Sequence, residues 1–250
     1  MHSGAFCTEA HHAHPPPSQD CRVLELRQYT LHRGRRDTLI ALFDREFVET
    51  QEACGARVIG QFRDAERPDR FVWLRGFADM PRRADALSSF YGGPVWAAHR
   101  DAANATMIDS DDVLLLRPAW SGSGVAAQLP RLPHTASGEA AGLVDVTIYP
   151  LRDMPSPGLL DAARGLGAGL RAAGALDVAW YVTEPAPNNF PRLPVREGIQ
   201  ALVSVTLFPR RAVFDAFVRS GRGPERLEPH LAAKPTSLRL VPTARSALRA

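Results

Sequence analysis

The stretch VLELRQYTL, residues 23–31, alternates apolar and polar side chains with a period of two, which predicts a half-buried β-strand. Downstream, Gly34 opens a helical pattern in which Leu39, Phe43 and Phe47, joined by Ile40 and Val48, recur at helical spacing until Gly55. ARVIGQFRD (56–64) and RFVWLRGF (70–77) are two strand-like runs separated by the turn-forming AERPD. Asp79 and Pro81 start a second helix, which Gly92-Gly93-Pro94 breaks and which resumes to about Met107, before VLLLRP (113–118) closes the unit as a strand. The order β-α-β-β-α-β is that of a ferredoxin-like unit.

After a linker of Gly, Ser, Pro and Ala over residues 119–141, the same order returns. LVDVTIYPL (143–151) is a strand and PSPGLLDAARGLGAGLRAAGA (155–175) a helix ended by Gly174. VAWYVTE (178–184) and IQALVSVTLF (199–208) are strands, and RRAVFDAFVRS with PERLEPHLAA forms a broken helix before SLRLVP (237–242). Tyr29 and Tyr149 hold equivalent places in the two first strands, and Pro118 and Pro242 close the two last ones. The expected organisation is a tail over 1–20, a ferredoxin-like domain over 21–118, the linker 119–141, a second and divergent domain over 142–243, and a tail over 244–250. The fold class is α+β: tandem ferredoxin-like units whose antiparallel sheets pack into a dimeric α/β-barrel type of arrangement, helices outside.

Strand alternation then sorts the side chains. Leu24, Leu26, Val72 and Leu74 are placed under the helices. That turns Glu25, Arg27, Tyr29, Phe71, Trp73, Arg75 and Phe77 towards a lumen, joined from the second unit by Asp145, Thr147 and Tyr149. Glu25, Arg27, Tyr29, Trp73 and Arg75 together have the chemistry of an anion pocket with an aromatic wall, because guanidinium grips carboxylate in bidentate fashion and stacks on rings. Equally, Glu25 can pair with Arg27 or Arg75 across strands and bind nothing. On the helix from Pro94, Trp96 and His99 fall on the inward stripe; His99 is either a packed core residue or an acid or base working near neutral pH. The second unit is the eroded one, so a site is expected in the first.

Composition narrows the class. The formal net charge is +3 over 250 residues, and the basic residues are spread along the chain, which argues against a nucleic-acid partner. Of 30 basic residues only Lys234 is a lysine, as in a GC-rich bacterial genome. No apolar run is long enough to span a bilayer, and no signal peptide opens the chain, so a cytoplasmic location with no membrane partner is expected. Cys7, Cys21 and Cys54 form neither a disulfide framework nor a zinc motif. His2, His11, His12 and His14 lie in the tail, with no frame to fix them on a metal. A P-loop, a nucleophile elbow, a dinucleotide fingerprint and a metalloprotease motif are all absent.

LELRQYTLHRGRRDTLIALFDREF, ARVIGQFRD, DRFVWLRGF and FYGGPVWAAHRDAANATM together resemble the NIPSNAP family of the dimeric α/β-barrel superfamily. The likeness covers residues 22–118 well and 142–242 weakly, where Glu25-x-Arg27-x-Tyr29 becomes Asp145-x-Thr147-x-Tyr149. It implies the ferredoxin-like pair and a homodimer or higher homo-oligomer, but no one reaction. Superfamily relatives include cofactor-independent monooxygenases and heme enzymes. For heme, only His99 and His230 stand on helices where an axial ligand could sit; no cofactor is otherwise indicated. The expected function is binding of a small anionic or carbonyl-bearing organic molecule in the lumen, with oxidation or isomerisation. In that reading Arg27 and Arg75 hold the anion, Glu25, Trp73 and Trp96 line the site, and His99 and Tyr29 do the chemistry. The alternative is a non-catalytic interaction protein whose barrel is filled by its own side chains.

Overall fold

Residues 21–221 and 223–250 are described by a computed structural model; the histidine-bearing stretch expected to be a disordered tail lies outside them. Strand β1 (Val23–Leu31) buries every side chain except that of the intermediate Thr30, so both of its faces are covered rather than one. It pairs antiparallel with β3 (Arg70–Phe77) and β4 (Met107–Pro118), and β3 in turn with β2 (Arg57–Asp64). In the second half β5 (Leu143–Pro150) stands between β7 (Ala201–Phe208) and β8 (Thr236–Pro242), and β7 pairs with β6 (Asp177–Thr183). The strand order is therefore the same in each half. Two seams, β2 with β8 and β4 with β6, close all eight strands into one barrel within a single chain.

The helices follow the sequence signals, with two departures. α1 (Arg36–Leu42) and α2 (Val48–Ala53) are joined by a π-helical turn, Phe43–Phe47. Both Phe43 and Phe47, the ends of that turn, are buried. The Asp79 carboxylate caps α3 (Met80–Tyr91) by accepting from the Arg82 N–H at 2.7 Å, and α4 (Pro94–Asn104) restarts after the two glycines. α5 (Pro157–Ala172) and α6 (Arg211–Arg219) cover the second half. Where a second arm of a broken helix was expected after α6, there is only a 3-10 turn, Glu228–His230.

Inside the barrel lies a buried, apolar layer. Leu24, Leu26, Val72, Leu74, Leu114 and Leu116 meet Val144, Val146, Val203, Val205, Leu238 and Leu240, with no helical residue among them. The lumen is thus filled by apolar side chains, and the expected assignment of strand faces is reversed. Glu25, Arg27, Tyr29, Trp73 and Arg75 lie between sheet and helices. The reason is electrostatic: an interior enclosed on every side offers charges no partners, whereas helices can bring them. The last residues, expected as a tail, are also part of the core. Leu248 enters the barrel interior, and Arg245 donates to the Asp44 carbonyl and to Glu49.

Helix α5 has three glycines at alternate positions with different surroundings. A Cβ at Gly165 or Gly169 would meet nothing within 4 Å, whereas at Gly167 it would lie 2.9 Å from Trp180 Nε1. Gly165→Ala and Gly169→Ala are expected to stabilise the fold by about 0.5–1 kcal/mol each through helix propensity. Gly167→Ala is expected to cost about 1–3 kcal/mol through overpacking against a buried indole. Urea midpoints of the three variants would test this, and equal effects at all three would refute it.

Candidate functional site

The polar residues of β1 and β3 form a closed network beneath the first-half helices. Arg75 donates to Glu25 Oε2 through Nε at 3.1 Å and Nη2 at 2.5 Å, and to Gln51 of α2 at 2.7 Å. Arg27 donates to Glu25 at 2.9 Å and to the Tyr29 hydroxyl at 3.0 Å. Arg83, from α3, reaches the other Glu25 oxygen at 2.7 Å. Burial alone would raise the Glu25 pKa, but Arg75, Arg27 and Arg83 outweigh it and hold the carboxyl far below the ordinary range. For Arg27, burial is likewise outweighed by Tyr29 and Glu25, and its pKa is raised. Aromatic rings fill the remaining space, with the Arg75 guanidinium 4.9 Å from the Trp73 ring centre and Phe43 packed 4.8 Å from Trp73. Glu25, Arg27, Trp73 and Arg75 are each at most 1% exposed, so the network as it stands is internally occupied.

Trp96 and His99 do not join it through any polar contact. Trp96 packs against Phe47, Phe90 and Tyr91, and His99 Nε2 lies 3.5 Å from Glu46 Oε2 with its ring against Phe47. His99 is thus held on the helical layer, and His230 sits on the 3-10 turn of the other half. Among the described residues, no three or more His, Cys, Asp and Glu side chains gather as a metal site.

A cavity of about 320 Å³ occupies the matching layer of the second half. Its floor is the outward face of the sheet: Asp145, Thr147 and Tyr149 of β5, Ser204 and Thr206 of β7, Ser237 and Arg239 of β8. Its roof is apolar, from Leu166 and Leu170 of α5 and Phe214 and Phe217 of α6. The strand registers show why space opens here. Glu25 faces Arg75 and Arg27 faces Trp73 across β1 and β3, whereas Asp145 faces Thr206 and Thr147 faces Ser204 across β5 and β7. Two arginines and a tryptophan are replaced by three small hydroxyl side chains, so the volume they would fill is left free.

The acid on this floor is differently placed from Glu25. Asp145 Oδ2 accepts from the Thr147 hydroxyl at 2.9 Å, and that hydroxyl lies 2.9 Å from Ser237 Oγ. Oδ1 is buried and has no hydrogen-bond partner among the described residues. Arg239 is engaged elsewhere, donating to Glu66 at 2.9 Å and lying 5.5 Å from the Phe214 ring centre. Burial, opposed only partly by the Thr147 hydrogen bond and by Arg239, pushes the Asp145 pKa up to about 6. Burial also pushes the Tyr149 hydroxyl up to about 12, so it stays protonated and can donate. A carboxyl half-ionised near pH 6 beside neutral hydroxyls, under a hydrophobic roof, can exchange a proton with a small molecule and hold its polar end.

The sequence pattern placed Asp145, Thr147 and Tyr149 together correctly but in the lumen, and it passed over Ser204, Thr206, Ser237 and Arg239. The available signal was the alternation in ALVSVTLF and SLRLVP, where Ser204, Thr206, Ser237 and Arg239 interleave with apolar residues at a period of two.

Residues 24–121 match the NIPSNAP family model. No curated protein matches the chain in sequence. Among solved structures, proteins named "putative monooxygenase" from Lactobacillus acidophilus NCFM and from Fusobacterium nucleatum subsp. nucleatum ATCC 25586 share the fold. The first is 11% identical with a TM-score of 0.56 over 91% of this chain and 97% of its own. The second is 7% identical with a TM-score of 0.59 over 90% and 94%. An anthrone oxidase-like protein, 12% identical, has a TM-score of 0.54 over 93% of this chain and 97% of its own. At these identities the likeness is one of fold.

Proposed function

Residues 24–121 match the NIPSNAP family model, and we propose that the protein binds a small organic molecule bearing a carbonyl or hydroxyl group in the second-half cavity, where Asp145 exchanges a proton with it. The observation that carries this reading is the unpartnered Asp145 Oδ1 on a hydroxyl-lined floor of a cavity large enough for a bicyclic or tricyclic ligand. Protonated Asp145 donates to a carbonyl oxygen, and ionised Asp145 takes a proton from an activated C–H or O–H. Tyr149 and Ser204 fix the polar end, while Phe214 and Phe217 cover the flat apolar body. Proton removal of this kind is an isomerisation when the proton returns elsewhere on the molecule. It is the opening step of an oxidation when dioxygen then takes electrons from the resulting anion. The oxidase and monooxygenase names of proteins sharing the fold make oxidation the reaction to test first.

Anthrone, a neutral tricyclic ketone, is a suitable probe. Wild-type protein is expected to bind it, and Ser204→Trp, which places in the second half the bulk that Trp73 supplies in the first, is expected to weaken binding at least tenfold without unfolding. Asp145→Asn is expected to retain binding and to lose at least a hundredfold in turnover, the usual scale of a general base. Binding unchanged in Ser204→Trp would overturn the assignment of the cavity.

A further inference from the structure

The first-half network has more positive charge than it can neutralise. Arg27, Arg75 and Arg83 converge on the single carboxylate of Glu25, leaving an excess of two positive charges in a layer where all four side chains are at most 1% exposed. The other donors of Arg27 are met by the Tyr29 hydroxyl and the Ser110 carbonyl, and Arg75 is completed by Gln51. Arg83 is not. Its Nε serves Glu25, its Nη1 donates to the amide oxygens of Asn188 and Asn189 at 3.0 and 2.7 Å, and its Nη2 is buried with no hydrogen-bond partner among the described residues. The Nη1–Nη2 edge is the one a guanidinium offers to a planar carboxylate through two parallel hydrogen bonds, and here neutral oxygens use only half of it.

Both asparagines belong to a strap between β6 and β7 that carries no helix or strand. The strap crosses from the second half to lie on the first, where Phe190 packs 6.0 Å from the Tyr91 ring and Asn189 donates to the Met80 carbonyl. We infer that Arg83 anchors a second binding site, for a small carboxylate, which the strap closes by placing Asn188 and Asn189 where the ligand's oxygens would lie. The bound anion would offset one of the two surplus charges and give Nη2 the acceptor it lacks. This site is separate from the Asp145 cavity, in the other half of the barrel.

The test is calorimetric titration of the full chain with sodium acetate, against sodium chloride at equal ionic strength. Asn188→Ala/Asn189→Ala removes the competing oxygens, and both residues are on a peripheral strap, so the barrel remains. That variant is expected to bind acetate at least tenfold more tightly than wild type, and adding Arg83→Lys, which keeps the charge but not the bidentate edge, is expected to abolish the gain. No acetate binding above the chloride control in the double-alanine variant would overturn the inference, whatever the folding of Arg83→Lys. Inorganic phosphate binding that variant more tightly than acetate would overturn the carboxylate assignment.

Discussion

Glu25→Gln is expected to destabilise the fold by on the order of 3–5 kcal/mol, the scale on which removing one partner strands a buried charge. Here three guanidinium groups lose their shared counter-ion at once, while helix α3 loses the contact that ties Arg83 to β1. Gln preserves shape and can still accept from one arginine, so the loss reports charge rather than packing. Adding Arg75→Met to Glu25→Gln is expected to recover part of the loss, because it removes one of the stranded charges. The pH dependence has a definite sign. The folded-state pKa of Glu25 is depressed, so its contribution is full above the ordinary value of about 4.5 and declines as pH falls below it. Denaturant titrations at pH 7 and pH 3 should therefore show wild type and Glu25→Gln converging at the lower pH. A difference below about 1 kcal/mol at pH 7 would show that the network contributes little net stability.

Asp145→Asn is expected to act in the opposite direction. With its folded-state pKa raised from 3.8 to about 6, Asp145 is costly to ionise in place. The cost is absent below about pH 4, grows as pH rises through 6, and is complete above it, because the unfolded chain releases this proton more readily than the folded one. A shift of that size corresponds to about 3 kcal/mol, from about 1.4 kcal/mol per pKa unit. The amide avoids the charge but must place its own N–H groups in the cavity, so about 1–3 kcal/mol of stabilisation is expected at pH 8 and none at pH 4. In thermal melts this reads as a rise of several degrees at the higher pH. Equal melting temperatures for variant and wild type at pH 8 would show that Asp145 is ionised without penalty and would remove its claim to be a proton-exchanging group. A variant both more stable and less active is the pattern of a residue kept for its chemistry.

Much of the architecture was legible in the chain, and the chief error was one of side. The period-two pattern of VLELRQYTL, the Gly92-Gly93-Pro94 break and the turn at AERPD located their elements closely, because each acts through local backbone preference. The alternation of Leu24, Glu25, Leu26 and Arg27 sorted two faces correctly but could not say which face meets the helices. That depends on Gln51 and Arg83, partners distant in sequence, and on closure of the barrel, neither of which has a local signature. The same limit applies to the second half. Replacement of Arg27 and Trp73 by Thr147 and Ser204 looks like erosion in one dimension; with helices α5 and α6 in place it is the removal of a plug.

Closure of the barrel also bears on how the polypeptide reaches its final form. The seam that joins β2 to β8 sets Phe62 opposite Pro242, and the Leu248 amide donates to the Ile59 carbonyl beside it. Strand β2 is thus sealed by β8 and the residues after it, which lie far downstream in the chain. Until that seam forms, Leu24, Leu26, Val72 and Leu74 present a greasy surface with nothing against it. Sequence separations this large slow folding and prolong the interval in which the chain is vulnerable to association, so disrupting the Leu248 contact, as in Leu248→Asp, should reduce soluble yield far more than one substitution suggests.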